Sequence, residues 1–437
     1  MKVMKFGGTS VGSAERMKSV AKLVLNGEKN IVVLSAMSGT TNTLVEIADY
    51  LDKHNPIGAG EIINHLEEKY LQTIDDLYSS DSYKEESKKG IDSIFRELRS
   101  FLKKNFSTME EKMILSKGEL MSTLLFLNYL REQGVNAKML PSLEYMRTNA
   151  DEEPDFPYIQ ENLNKVFEKV GNADLYITQG YICRNHNGEV DNLQRGGSDY
   201  SASLIGAAIK AEEIEIWTDI DGLHDNDPRF VENTKTVHSL HFEEAAELAY
   251  FGAKILHPTC ILPAKINNIP VRLLNTMDPK AEGTLISNKK EGIGVKAVAA
   301  KDSITSIRIR SSRMLLAYGF LRRVFEVFES YKTPIDMITT SEVGVSVTID
   351  NKKHLAEIVN ELKKLGSVDI DENMVIICVA GNLDWENAGC ESKVLEAFKN
   401  IPVRMISYGG SSYNISILIR AEDKVRSLKL LSEKLFG

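Results

Sequence analysis

Apolar and polar positions along this chain fall into blocks whose period changes several times. Val3, Met4 and Phe6 read as a short strand that runs into Gly7-Gly8-Thr9-Ser10. Beyond it, Met17, Val20, Ala21 and Val24 share one helical face, and Ser13 stands where a cap belongs, so a helix is expected to about residue 25. Residues 31–34 form a continuous apolar run, the mark of a strand covered on both faces. A small-residue loop, 35–42, precedes the next helix. Strand, loop and helix in this order predict an α/β sheet. Residues 62–131 then carry a charged helical pattern, an all-α excursion from the sheet. Alternation resumes with strands expected over 174–178, 213–218 and 270–274. Helices are expected over 200–210, 242–251 and 259–267, with Pro258 suited to a helix start. Glycine, proline and charge crowd 275–294, which places a domain boundary near 285–300.

The last third of the chain repeats itself. Pro334-Ile335-Asp336-Met337-Ile338-Thr339 is echoed by Pro402-Val403-Arg404-Met405-Ile406-Ser407. An alternating strand follows each: Val343, Val345, Val347 and Ile349 in one, Tyr413, Ile415, Ile417 and Ile419 in the other. Each copy reads β-α-β-β-α. The first has a further strand at 367–370, whereas the second reaches Gly437 without one. An open edge is something proteins avoid, so the two copies are expected to interlock.

Composition narrows the function. The 437 residues exceed one ordinary core, so two or three domains are expected. A formal charge of −9 argues against nucleic acid or an anionic membrane as the main partner. Cys183, Cys260, Cys378 and Cys390 are scattered, with no CxxC pair, and read as reduced buried thiols. The first residues lack the apolar core of a secretory leader, and no apolar run approaches the ~20 residues that span a bilayer. A cytoplasmic protein is expected.

Five stretches carry chemistry. In Lys5-Phe6-Gly7-Gly8-Thr9-Ser10, glycines let backbone N–H groups approach an anion and Lys5 adds a point charge, without the Walker A pattern. The glycines alone suit a plain strand-to-helix turn better. In Arg195-Gly196-Gly197-Ser198-Asp199, arginine suits a carboxylate and Ser198 suits a cap for a helix beginning near Tyr200. In the stretch 217–229, acidic and amide groups crowd a turn that fits a nucleotide base and ribose better than a calcium loop, since Gly222 comes too early. Lys254, in Gly252-Ala253-Lys254-Ile255-Leu256-His257-Pro258, could reach the same anion as Lys5. Glu119, in a helical stretch, could accept a substrate ammonium.

Taken together and in this order, the five stretches resemble the amino-acid kinase family and, within it, the aspartate kinases, over essentially the whole chain. The tail resembles paired ACT domains, the βαββαβ modules that bind amino acids. The resemblance implies a three-layer αβα sandwich with a helical excursion over 1–295. Two interlocked, ferredoxin-like βαββαβ ACT domains follow over 296–437. It implies Lys5, Asp199 and Lys254 as catalytic residues, and Ser35, Thr41, Glu119, Arg195 and Ser198 around L-aspartate. Lys5, Gly7, Gly8, Thr9, Thr218, Asp219, His224, Asp227, Arg229 and Lys254 are implied around ATP, which brings Mg²⁺; no resident metal site is expected. His224 stands where the family often has tyrosine. Asp225-Asn226 replaces a hydroxyl-rich pair, so a more negative loop is expected.

The implied reaction needs no general base, because a carboxylate with a pKa near ~3.9 is already ionised at neutral pH. The need is for positive charge between two anions. In the tail, Met314, Gly319, Phe320, Asp336, Thr340, Ser341, Glu342 and Val343 match effector positions of lysine-inhibited relatives. L-Lysine is therefore expected at an ACT interface of a homodimer or dimer of dimers, with threonine, alone or beside lysine, next. Two alternatives are a kinase of another small carboxylate and a non-catalytic amino-acid sensor.

Overall fold

The computed structural model describes residues 1–104, 106–193, 196–252, 256–311 and 318–437. It divides into two compact units, Met1–Leu223 with Leu256–Asn288, and His224–Ile255 with Lys289–Gly437.

The first unit opens with β1 (Lys2–Phe6), α1 (Ala14–Val24), β2 (Asn30–Leu34) and α2 (Thr40–Asp52). Ser13 does cap α1, accepting the Arg16 N–H at 3.3 Å. The helical excursion comprises α3 (Pro56–Leu77), α4 (Asp81–Ser100), α5 (Thr108–Leu115) and α6 (Lys117–Glu132). Then come β3 (Ala137–Leu140), α7 (Phe156–Val170), β4 (Leu175–Gln179), the small hairpin β5 (Ile182–Arg184) and β6 (Val190–Asn192), α8 (Gly197–Ile209) and β7 (Ile214–Thr218). The chain enters the second unit for β8 (Ser239–His241) and α9 (Phe242–Tyr250). It returns with a 3₁₀ turn, Pro258–Ile261, then α10 (Leu262–Ile266), β9 (Val271–Asn275) and β10 (Thr284–Ser287).

Within this unit the strand order is β3-β4-β2-β1-β7-β9-β10, parallel except for β10 against β9. Every residue of β2 and β4 is buried, because helices cover both faces of the sheet. Met4, Phe6, Val32 and Leu34 share one core with Met17 and Val20 of α1 and with the excursion helices, through Tyr70, Phe95 and Phe126.

The second unit is built on one six-stranded antiparallel sheet. Its elements are β11 (Gly294–Arg310), α11 (Phe320–Ser330), β12 (Ile338–Ser341), β13 (Gly344–Ile349), α12 (Leu355–Lys363), β14 (Ser367–Asn382), α13 (Cys390–Ala397), β15 (Met405–Ser407), β16 (Asn414–Arg420) and α14 (Lys424–Leu435). The order is β12-β13-β11-β14-β16-β15. Two long strands, β11 and β14, run through both halves. Thr305–Arg310 of β11 pair with β13, while its earlier part pairs only with the later part of β14. The strand the second repeat lacks is therefore the beginning of β11, and the first repeat is inserted after it. The halves keep separate cores, one around Ile307, Phe328 and Val347, the other around Val379, Ile417 and Leu428. They meet where the register of β11 and β14 shifts, near Lys301 and Ile304.

Candidate active site

Ligands of parallel α/β sheets sit beyond the carboxyl ends of the strands. Two cavities lie there, sharing Ser35 and Thr41. One, of ≈ 450 Å³, is lined by Lys5, Glu119, Tyr181, Leu193 and the start of α8 from Gly196 to Asp199. The other, of ≈ 330 Å³, is lined by Gly8, Thr9 and the loop from Ser35 to Gly39.

Asp199 lies in the first turn of α8, and Lys5 is the next-to-last residue of β1. Its ammonium stands 2.6 Å from the Asp199 carboxylate, and both side chains are largely buried. Helix α8 begins at Gly197, earlier than expected. Gly196, at φ 72°, occupies the cap position, and Ser198 lies inside the first turn without a capping bond. The left-handed backbone at Gly196 makes the sharp entry that a serine cap was expected to make. The amino end of α8 favours the negative charge of Asp199.

The loop after Lys5 folds against the one after β2. The Gly7 N–H bonds the Trp217 carbonyl (3.2 Å), and the Ser38 N–H bonds the Gly8 carbonyl (3.0 Å). A methyl at Gly8 would stand 2.8 Å from the Ala36 carbonyl oxygen, so only glycine lets the two loops meet. Arg16 braces the loop through the Thr9 carbonyl (2.6 Å).

Glu119 projects from the buried first turn of α6. One carboxylate oxygen accepts the Ala36 N–H at 3.1 Å; the other is buried with no partner among the described residues. Burial raises its pKa to about 8, with the Ala36 bond opposing. A buried carboxyl so poorly satisfied suits an incoming cation.

Thr218 ends β7 and Asp219 follows it in the first unit, with the Thr218 hydroxyl 3.1 Å from the Asp219 carboxylate. His224, Asp227 and Arg229 belong to the second unit. The His224 ring bonds the Thr234 hydroxyl (2.8 Å). Partial burial pushes the Asp227 carboxyl up, but three guanidinium bonds from Arg229, at 2.6, 2.9 and 3.2 Å, together with its backbone N–H and charge, hold it below its ordinary range. The expected extra negative charge of Asp225-Asn226 does not sit in an open loop. Both residues are buried, Asn226 donating to the Leu428 carbonyl (2.9 Å) and Asp225 accepting the Lys235 N–H (3.1 Å). Their role is packing against the sheet of their own unit. Arg195, Lys254 and Met314 lie outside the described residues.

Of the tail residues, Gly319 and Phe320 open α11, with Phe320 in the core. Thr340 and Ser341 end β12, an edge strand, and Glu342-Val343 make the exposed turn to β13. Asp336 sits at the other end of that hairpin, its N–H bonded to the Thr348 carbonyl.

Sequence reasoning passed over Tyr181 and Leu193 as cavity residues. Tyr181 holds φ 67°, fixed by its N–H to the Ser201 hydroxyl (3.0 Å) and its carbonyl to the Leu193 N–H (2.7 Å). Its place just past the end of β4 was the available signal. Among the described residues no group of three His, Cys, Asp or Glu side chains could cage a bare ion. Among the described residues no helix is long and apolar enough to cross a membrane.

Comparison with known proteins shows the family and the fold. The amino acid kinase family pattern matches residues 1–275 and an ACT domain pattern matches residues 377–435. Lysine-sensitive aspartokinase 3 of Escherichia coli is 34% identical over 447 residues, covering 99% of both chains. The chloroplastic aspartokinase 3 of Arabidopsis thaliana is 35% identical over 99% of this chain and 81% of its own. The crystal structure of E. coli aspartokinase III in complex with aspartate and ADP superposes with a TM-score of 0.85 over 100% of each chain, at 34% identity. The structure of that protein with lysine and aspartate superposes with a TM-score of 0.80, also over 100% of each chain.

Proposed function

Since this chain belongs to the amino acid kinase family and is an aspartate kinase, we propose that Lys5, Asp199, Glu119 and the loops around them form its catalytic centre, and that its ACT repeats answer to L-lysine. The observation that carries the first reading is the pairing, in one cavity, of an ammonium held by Asp199 with a buried carboxylate whose second oxygen is unpartnered among the described residues.

The reaction brings the β-carboxylate of L-aspartate against the γ-phosphoryl of MgATP. Two unit charges ~4 Å apart repel by roughly 4 kcal/mol at an effective dielectric of 20. Phosphoryl transfer asks a protein for positioning and positive charge. Lys5 supplies the charge from β1, and Lys254 supplies a second from the nucleotide side. Gly7, Gly8 and Thr9 hold the phosphates by backbone N–H groups. Arg195 and Ser198 take the α-carboxylate of aspartate, Glu119 takes its ammonium, and Ser35 and Thr41 line its side chain. Thr218, Asp219, His224, Asp227 and Arg229 hold the nucleoside. In this reading 1–295 is the catalytic domain and 296–437 the regulatory one, in a cytoplasmic enzyme that feeds amino-acid synthesis.

Strand geometry supports an effector site shared by two copies. Ser341 pairs with Gly344 while Asp336 bonds Thr348, four residues along β13, or about 13 Å. Lysine reaches roughly 6–7 Å from Cα to Nζ. One molecule cannot bridge Asp336 and Ser341 of one chain, but edge strands β12 of two antiparallel copies bring Asp336 of one near Thr340 and Ser341 of the other. Gly319, Phe320, Glu342, Val343 and Met314 complete that site in a homodimer or dimer of dimers.

Aspartate-dependent ADP release with hydroxylamine trapping tests the reading. L-Aspartate should give the hydroxamate in step with ADP, and millimolar L-lysine should slow it. Equal turnover of N-acetyl-aspartate would contradict the role of Glu119.

A further inference from the structure

Leu193 is a partition between two cavities of the first unit. On one side it lines the ≈ 450 Å³ cavity with Lys5, Glu119 and Tyr181. On the other it lines a polar cavity of ≈ 190 Å³ with Lys112, Thr148, Glu152, Asp191 and Asn192. A side chain with open space behind it is not pinned by packing, so its place depends on what fixes its backbone.

That backbone leaves the hairpin of β5 and β6, a two-stranded ribbon apart from the main sheet. Such a ribbon is marginal by itself and takes its position from tertiary ties. β5 is tied at both ends. The Tyr181 N–H, just before it, donates to the Ser201 hydroxyl (3.0 Å). At its far end the Arg184 N–H bonds the Met146 carbonyl and the Thr148 N–H bonds the Arg184 carbonyl, each at 2.9 Å. β6 has one polar tie beyond the hairpin among the described residues, from the Asp191 carboxylate to the Lys112 ammonium of α5 (2.7 Å). The same Asp191 oxygen accepts the Asn192 N–H (2.7 Å), which sets the path of the chain toward Leu193. Asn192 adds no anchor, because both polar atoms of its amide are buried without a partner among the described residues.

We propose that Lys112, acting through Asp191, is a positioning residue that sets the length of the substrate: it holds Leu193 forward, so that the cavity takes L-aspartate and excludes the acid one methylene longer. This rests on the reading of that cavity as the aspartate site. The Asp191 side chain is 10% exposed, and without the ammonium it is a nearly buried carboxylate short of partners. It then turns toward water and takes β6 with it. Leu193 has the ≈ 190 Å³ space behind it to retreat into. One methylene against an apolar wall is discriminated by about 10–200-fold, so a small retreat is read directly in selectivity.

The test is a double-mutant cycle on the full-length enzyme, read as the ratio of kcat/KM for L-aspartate to that for L-glutamate. Lys112→Met and Asp191→Asn should each lower the ratio at least five-fold and raise the aspartate KM, with the ATP KM within two-fold of the wild type. The double variant should be no worse than the poorer single, since both break one bond. Lys112→Arg, which keeps the charge, should keep the wild-type ratio. A general loosening of the fold would lower both substrates in step and leave the ratio alone. A Lys112→Met enzyme with no relative gain on L-glutamate would overturn the clasp, as would multiplicative effects of the two single changes. Leu193→Ala separates this clasp from the site it serves. It should lower the ratio at least as far as Lys112→Met. If it leaves both the ratio and the aspartate KM unchanged, the cavity does not hold aspartate and the clasp falls with that reading. If it lowers the ratio while Lys112→Met does not, the site stands and the clasp alone falls.

Discussion

The Lys5 ammonium lies 2.6 Å from the Asp199 carboxylate, joining the end of β1 to the first turn of α8. In the proposed catalytic centre Asp199 orients the Lys5 ammonium. Asp199→Asn keeps the shape and removes the charge that orients the ammonium. It should lower kcat about ten-fold with a smaller change in the aspartate KM, as initial rates at saturating ATP will report. An unchanged kcat would free Asp199 from this role.

If Glu119 receives the substrate ammonium, as proposed, aspartate capture depends on pH. Its pKa of about 8 in the free enzyme means that the carboxyl is mostly neutral at pH 7 and must ionise to receive an ammonium. The kcat/KM for aspartate should therefore rise about ten-fold per unit below pH 8 and level off above it. Glu119→Gln should flatten the profile and raise the aspartate KM. A profile equally steep in both enzymes would assign the titration to another group.

The same group works against stability at high pH. Its folded pKa stands above its ordinary 4.5, so its contribution is fully present below that value and is lost as pH rises through about 8. The loss by pH 9 is of order 4–5 kcal/mol at most. Glu119→Gln should gain stability relative to the wild type between pH 5 and pH 9, measured as urea midpoints. Parallel midpoints for the two proteins would contradict it.

Gly8 sets how closely the loops after β1 and β2, proposed to hold the phosphates, approach each other. Gly8→Ala puts a methyl 2.8 Å from a backbone oxygen that the neighbouring loop cannot readily move. Overpacking of this kind costs about 1–3 kcal/mol. The KM for ATP should rise at least ten-fold, with a lowered melting temperature. A Gly8→Ala enzyme with normal ATP kinetics would place the phosphates elsewhere.

Part of the cavity was legible before any fold was known: Lys5, Glu119, Ser198 and Asp199, far apart in the chain and each singled out by its local pattern, line one cavity. The missing strand of the second repeat was also legible, as an edge that had to be covered, and the start of β11 covers it. The rest of β11 was not. It joins two half-strands that serve different cores across a break, with Ser303 at φ 63° and Asn373 at φ 55° in the opposite strand. No single alternation runs through such a strand. The start of α8 was hidden for a related reason, since a left-handed Gly196 reads as a turn. The seating of α9 was beyond local pattern altogether: its partners Lys296, Asn414 and Asp336 lie 52, 167 and 86 positions away.

The most direct measurement is the single-turnover and steady-state rate of Lys5→Ala with ATP and L-aspartate, beside the wild type. If Lys5 shields the two anions as they meet, kcat falls at least 100-fold while the aspartate KM stays within a few-fold. A Lys5→Ala enzyme that phosphorylates aspartate at a near-normal kcat would contradict it.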